Sequence, residues 1–193
     1  MEKFILAIPT IEHKDQALDY IKEHYKYHSN INGVGGLNRF LNDYTGWLKK
    51  LEDDRNQITN EERVPAETFF LTRLSDNKII GMINIRLDLN ERQRTSGGHI
   101  GYGIRPSERQ KGYNKINLFL GLQKCQEHGL KMVMLDCEKE NLGSSKTIQA
   151  LCGTLEKEYY DGQEHHCIVQ KYWINVDEAI ERKRAEFQQY ILS

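Results

Sequence analysis

Apolar residues recur at helical spacing in three stretches of the chain, which are residues 11–28, 37–51 and 114–128. The second stretch carries the clearest amphipathic stripe, with apolar side chains at i, i+3, i+4 and i+7. The third is apolar on most sides, and Gly129 suits the end of a helix. We therefore expect two amphipathic helices in the first half of the chain and one buried helix in the second.

The middle of the chain has a different pattern. Aromatic and β-branched residues dominate three runs, separated by turn residues at 75–77 and 95–98, and these runs are TFFLTRL, KIIGMINIRLDL and GHIGYGIRP. Such runs predict an antiparallel meander. Further strands are expected at FILAIPT, at KMVMLDCE and in a hairpin around Gly162, with a short helix at 144–152.

Together these elements predict an α+β fold, in which a mixed, mostly antiparallel sheet of about seven strands carries helices on both faces. The length of 193 residues suits one domain. We expect that domain to cover residues 1–175 and a C-terminal helix to be added over 176–193. Asn175 and Glu178 form a capping box at the start of this helix.

Composition and charge exclude several classes of protein. The formal net charge of −1 gives no general attraction to nucleic acid or to anionic lipid, so we expect neither as a partner. The apolar run at the N-terminus is too short for a signal peptide, and no stretch reaches membrane-spanning length. Four cysteines without a CxxC pair favour free thiols. A cytoplasmic protein is the resulting prediction.

The most informative segment for function runs from Gly97 to Asn114. A strand leads through a short loop directly into the buried helix, and free N–H groups at a helix start attract anions. Gly112 lets a phosphate approach the backbone, and Arg109, Lys111 and Lys115 add positive charge. From the residues alone, a phosphorylated ligand and a plain strand-to-helix loop both remain open.

The loop Arg109-Gln110-Lys111-Gly112-Tyr113-Asn114 resembles the signature Arg/Gln-x-x-Gly-x-Gly/Ala of the GNAT acetyltransferase superfamily. It departs from that signature at Asn114. The preceding Ile104-Arg105-Pro106 is similar to the family's strand ending, and VPAETFF and IIGMINIR resemble an uncharacterised bacterial subgroup. The resemblance covers roughly residues 3–175 and implies a GNAT-like sheet.

The resemblance also implies a function, the transfer of an acetyl group from acetyl-CoA, as co-substrate, to a primary amine by direct attack in a ternary complex. The acceptor would be a small-molecule or protein amine. The residues that the resemblance assigns to the cofactor are the backbone of one strand, the loop after it and an asparagine: Tyr102, Gly103, Ile104, Arg109, Gln110, Lys111, Gly112, Tyr113, Asn114, Lys115 and Asn141.

Catalysis needs a base for the amine, and Asp136 and His99 are the two candidates. The resemblance implies a tyrosine as general acid where this chain has Ile148, which cannot donate a proton. Tyr102 and Tyr113 are the available substitutes. The missing acid leaves an alternative open, a non-catalytic module that binds or senses acyl-CoA.

Three weaker features receive structural interpretations. The Gly33–Gly36 run follows a helix rather than a strand, so we interpret it as a flexible connector and not as a dinucleotide site. His24 and His28 have metal-ligand spacing, but surface histidines are the preferred interpretation and no metal is expected. The apolar face of the C-terminal helix suits packing on its own domain or against a second subunit, which leaves a homodimer open.

Overall fold

The computed structural model describes residues 2–162 and 166–192. Within them the chain forms seven strands, which confirms the predicted strand number and the α+β class. Their bounds are β1 Phe4–Ala7, β2 Ala66–Arg73, β3 Lys78–Arg86, β4 Ile100–Ile104, β5 Met132–Glu138, β6 Thr154–Asp161 and β7 Cys167–Asn175.

The strands form two sheets rather than one continuous sheet. The first has the order β1-β2-β3-β4 and the second the order β5-β7-β6, and every pairing within them is antiparallel. The predicted meander is therefore the β2-β3-β4 part of the first sheet. An isolated bridge between Gly98 and Leu135 joins the two sheets just before β4 begins.

Six α-helices lie between and around the strands in the described residues, and their bounds are α1 Lys14–Lys26, α2 Tyr44–Arg55, α3 Glu91–Thr95, α4 Tyr113–Glu127, α5 Leu142–Ala150 and α6 Val176–Phe187. The predicted helix over 37–51 starts later than its stripe. Residues 37–39 form a single 3-10 turn, and the Asp43 side chain accepts a hydrogen bond from the Gly46 N–H, which sets the start of α2.

Two cores lie on opposite faces of the sheets, as the prediction of helices on both faces requires. One contains Tyr20 from α1 and Trp47 from α2, packed on β2 and β3. The other is larger and joins α4, α5 and α6 to both sheets. The stacked rings of Phe119 and Phe187, with centroids 4.8 Å apart, pack α6 against α4.

Candidate active site

A cleft separates the two sheets beyond the bridge between Gly98 and Leu135. At its closed end the His99 N–H donates to the Met134 carbonyl over 2.7 Å. The Met134 N–H in turn donates to Nδ1 of the His99 ring over 2.9 Å. His99 therefore fastens β4 to β5 at one point, and no other strand pairing between these two neighbours is found in the described residues.

The edge of β4 that faces this cleft offers unused backbone groups. Hydrogen bonds from Arg105 N to Ile80 O and from Arg86 N to His99 O direct the odd-numbered residues of β4 toward β3. In an antiparallel pair the intervening residues point the other way. The N–H groups of Tyr102 and Ile104 therefore face the cleft. The N–H group of Gly103, which was also predicted to contact the cofactor, instead faces β3.

Gly103 contributes to the site through its small size. A Cβ atom there would lie 3.1 Å from the Asn32 carbonyl oxygen and 3.2 Å from the Tyr20 hydroxyl. The same face of β4 receives Gly33, where a Cβ would approach the Tyr102 Cα to 2.6 Å. The interpretation of the Gly33–Gly36 run as a flexible connector is therefore wrong, because Gly33 packs directly on β4 with a positive φ of 73°.

The loop after β4 forms a concave turn lined with backbone N–H groups. Gln110 and Gly112 have φ values of 63° and 80°, and alternation of this kind turns successive N–H groups toward one point. Within residues 2–162 and 166–192, the N–H groups from Gln110 to Asn114 find no hydrogen-bond acceptor. A Cβ on Gly112 would meet nothing within 4 Å, so the concavity is open. It can hold an anion of phosphate size at the start of α4.

The basic side chains of the loop differ in how they are engaged. Lys111 Nζ lies 2.8 Å from Glu108 Oε2, a carboxylate that also pairs with Arg73 and Lys78. Burial alone raises the pKa of Glu108, but the hydrogen bonds from these three cations outweigh it and lower that pKa to about 2. Lys111 therefore carries a charge that is already balanced.

Arg109 reaches back over β4 instead of into the concavity. Its Nε donates to the Ile104 carbonyl over 3.2 Å and its guanidinium donates to the Ser29 hydroxyl over 2.5 Å. Lys115 has no side-chain hydrogen bond or ion pair with the described residues, which leaves its charge available to a ligand.

The remaining predicted cofactor residues surround the same region. The Tyr113 hydroxyl bonds to Glu2, and its ring packs on Phe4, so this side chain points toward β1. Asn114 has a buried Oδ1 without a hydrogen-bond partner among the described residues. Asn141 caps α5, because its Oδ1 accepts the Ser144 N–H over 3.1 Å.

Of the two candidate bases, Asp136 lies in a network that ties three strands to the loop before β4. Its Oδ2 accepts from the Gly97 N–H and from the Tyr159 hydroxyl, each over 3.0 Å. Lys171 adds to this network by donating to the Thr95 carbonyl at the end of α3. The carboxylate therefore has two firm hydrogen bonds on one oxygen.

His99 is 8% exposed, and burial lowers its pKa to about 4. Because Nδ1 accepts the Met134 N–H, the neutral ring carries its proton on Nε2. Taking up a second proton would require Nδ1 to give up that bond. The geometry thus holds His99 neutral at the closed end of the cleft.

One feature that sequence reasoning missed spans the cleft itself. The Tyr102 hydroxyl lies 2.9 Å from Ser144 Oγ, which joins β4 to the first turn of α5. The same tyrosine hydroxyl lies 3.5 Å from the Ser144 carbonyl oxygen. No local pattern announces these contacts, since Tyr102 and Ser144 are 42 residues apart.

The predicted surface position of His24 is wrong. This residue is 1% exposed, and its Nδ1 lies 3.0 Å from the Asn30 carbonyl, so it is a buried helix histidine. His28 lies beyond the end of α1, with a positive φ of 49°. The described part of the chain contains no group of three or more His, Cys, Asp or Glu side chains placed to hold a metal ion.

Several solved structures of acetyltransferases have a fold similar to that of this chain. The ribosomal-protein-S5-alanine acetyltransferase from Vibrio fischeri is similar with a TM-score of 0.69 at 14% identity, over 92% of this chain and 96% of that one. Mycobacterium smegmatis RimJ in complex with CoA-disulfide gives 0.72 at 15%, over 95% and 88%. The microcin C7 self-immunity acetyltransferase MccE in complex with acetyl-CoA and AMP gives 0.67 at 17%, over 90% and 92%. At these identities the likeness concerns the fold.

Sequence comparison gives the family. No curated protein sequence matches the chain significantly. No helix of the described residues is long and apolar enough to cross a membrane. The profile described as the acetyltransferase (GNAT) family matches residues 36–154, which is more than half of the chain and contains the cleft, the concave loop and the start of α5. The chain therefore belongs to the acetyltransferase (GNAT) family, which confirms the predicted enzyme class, an acyl-CoA-dependent N-acetyltransferase with acetyl-CoA as co-substrate.

Proposed function

We propose that this chain transfers the acetyl group of acetyl-CoA to a primary amine by direct attack, with both substrates bound in the cleft between β4 and β5. The observation that carries the proposal is that two sets of unused backbone N–H groups open on one region. One set lies on the cleft edge of β4, and the other lines the loop from Gln110 to Asn114.

In this proposal the concave loop binds the pyrophosphate of the cofactor. Five N–H groups and the start of α4 supply partial positive charge, and Lys115 supplies a full one. Lys111 can add a second contact, although it must then share its charge with Glu108. Asn114 replaces the small residue of the family signature, and its amide can serve as a further hydrogen-bond partner.

The pantetheine arm then runs along β4 away from the concave loop, so its amides meet the backbone at Ile104 first and its thioester reaches Tyr102. The thioester oxygen gains negative charge as the amine attacks, and the Tyr102 N–H is a fixed donor for it. The Ile104 carbonyl is already bonded to Arg109, which keeps this part of the strand edge rigid.

For the proton on the attacking amine, we assign Asp136 as the base and His99 as a positioning residue. The Nδ1 lone pair of His99 is used by the Met134 N–H, so protonating that ring breaks a contact between β4 and β5, whereas protonating the Asp136 carboxylate leaves this contact in place. Asp136→Asn keeps an acceptor oxygen for both donors but cannot take up the proton. We expect it to lower kcat at neutral pH without unfolding the chain.

The acceptor belongs to the class of primary amines, and an N-terminal protein amine is the first to test. The solved structures reported above include an acetyltransferase for the alanine of ribosomal protein S5, with the same fold. In this chain the loop Asn30–Gly36 packs on β4, and the short helix α3 lies in the connection between β3 and β4. Small diffusible amines are the second group to screen.

The test of the proposed function has two stages. Acetyl-CoA is first titrated by calorimetry and thermal shift, where saturation at about 100 times Kd should stabilise the fold by about 2.7 kcal/mol. Release of free CoA is then followed with and without peptides bearing a free N-terminus and with small amines. Amine-dependent release supports the enzyme. Binding without such release supports the alternative, a module that senses acyl-CoA, and no binding overturns both.

A further inference from the structure

The bridge between Tyr102 and Ser144 lies where the proposed reaction places the sulfur of the cofactor. The Tyr102 N–H faces the cleft on the β4 edge, while the side chain of the same residue crosses to α5. The thioester carbon is bonded to both its oxygen and its sulfur. A thioester whose oxygen is held at the β4 edge therefore brings its sulfur near this crossing side chain.

The position at which the family resemblance implies a tyrosine lies one helical turn beyond Ser144 on α5. Ile148 follows Ser144 by four residues on α5, so the two side chains lie on the same helix face. Ile148 is fully buried and apolar. On this face of α5, the hydroxyl groups of Tyr102 and Ser144 therefore lie at one end, and the side chain of Ile148 at the other end offers no hydrogen-bond donor.

We propose that the Tyr102 hydroxyl, held by Ser144, donates a hydrogen bond to the departing CoA thiolate and stabilises it without giving up its proton. This inference rests on the proposed function. In the step itself the amine nitrogen forms a bond to the thioester carbon, the C–S bond breaks, and its electron pair stays on sulfur. The proton of the amine leaves through the base, and that of Tyr102 remains on its oxygen.

Two observations favour a hydrogen-bond donor over a proton donor. Burial raises the pKa of Tyr102 above its ordinary value, so the phenol stays protonated throughout the range in which a thiol ionises. Ser144 Oγ can donate to the Tyr102 oxygen, and the phenolic proton then has only the Ser144 carbonyl at 3.5 Å as its acceptor on that serine, a long contact that it can exchange for sulfur. Such a chain of two hydroxyl groups strengthens the terminal donor.

The Tyr113 hydroxyl does not compete for this role. It bonds to Glu2 near β1, on the far side of the concave loop. Cys137 lies on β5, but a thiol S–H is a weak hydrogen-bond donor compared with a phenol O–H.

The experiment measures the ionisation of the CoA thiol on the protein and needs no knowledge of the acceptor. CoA labelled with carbon-13 next to sulfur is bound to the wild type and to Tyr102→Phe, and its chemical shift is followed with pH. We expect the ionisation constant of the bound thiol to be about 10- to 100-fold larger on the wild type, the range for a hydrogen bond to a charged group. Tyr25→Phe, which removes a half-exposed hydroxyl on α1, should match the wild type.

The outcomes separate this inference from the function on which it rests. Failure of the wild type to bind CoA removes the proposed function itself. Binding with equal thiol ionisation on wild type and Tyr102→Phe overturns the inference alone. Should Tyr102→Phe fail to fold, Ser144→Ala carries the test, because it keeps the phenol and removes its support. A smaller ionisation constant on Ser144→Ala supports the proposal, and an unchanged one overturns it.

Discussion

Two glycines at opposite ends of α4 allow the anion site to be tested against a matched control. Gly112 has a φ of 80° and begins the helix, and Gly129 has a φ of 76° just after its end. A Cβ at either position would meet nothing within 4 Å. Replacing either by alanine therefore introduces the same backbone strain and no steric clash within the protein.

That strain gives the expected size of the effect on stability. A non-glycine residue in the left-handed region costs about 1–2 kcal/mol, and the lower chain entropy of unfolded alanine offsets part of this. We expect both variants to lose about 1 kcal/mol of unfolding free energy. For a chain of this length the melting temperature should fall by about 2–4 °C.

The two variants should differ only when acetyl-CoA is present. The methyl group of Gly112→Ala projects into the concave loop, where it keeps a phosphate from the backbone N–H groups. Loss of one such charge-assisted bond corresponds to a Kd about 10- to 100-fold higher. Gly112→Glu adds a negative charge and should abolish binding. Calorimetric titration of the three variants gives the answer, and equal affinity in Gly112→Ala and Gly129→Ala would refute the assignment of this loop.

The other predictions concern three buried polar residues. His99→Asn keeps an acceptor for the Met134 N–H and should retain most of the turnover with an identified amine. His99→Leu removes that acceptor and should lose most of the turnover. An equal loss of turnover in both variants would instead make His99 the base. Burial lowers the pKa values of His24 and His99 to about 4. Between pH 6.5 and 4 the unfolded chain binds protons that the folded chain does not. The free energy of unfolding should therefore decrease as the pH is lowered, by up to about 1.4 kcal/mol per pH unit for each histidine. In His99→Asn the melting temperature should depend less steeply on pH. Arg105 is 3% exposed and pairs with Asp19 and Glu23 over 2.7 and 2.8 Å. Arg105→Met should cost about 3–5 kcal/mol in denaturant unfolding, whereas Asp19→Asn at the exposed end should cost under about 1 kcal/mol.

Periodicity was sufficient to predict most elements, because strands and helices follow from local alternation. The meander of β2, β3 and β4 and the buried α4 are the clearest cases. The stripe over 37–51 misled the prediction at its start, since an apolar period cannot reveal that Asp43 caps the helix. The short helix α3 was not predicted, although Asn90 caps it.

The candidate site, like the fold, could be predicted from the sequence only in part. The concave loop follows from a contiguous motif, so its residues could be named from the sequence. The directions of its side chains could not, because Lys111 and Arg109 are drawn away by Glu108 and by the Ile104 carbonyl. The crossing of Tyr102 to Ser144 depends on how far the two sheets splay, which no local pattern encodes.

The splayed sheets have a consequence for the protein without its cofactor. Beyond His99, β4 and β5 each present a strand edge that no neighbouring strand among the described residues satisfies, and exposed edges of this kind invite pairing with other chains. Under the proposed function the pantetheine arm takes the place of the missing neighbour. Acetyl-CoA would then act as a folding partner as well as a reactant, so that cofactor supply would set how much of the chain stays soluble and intact.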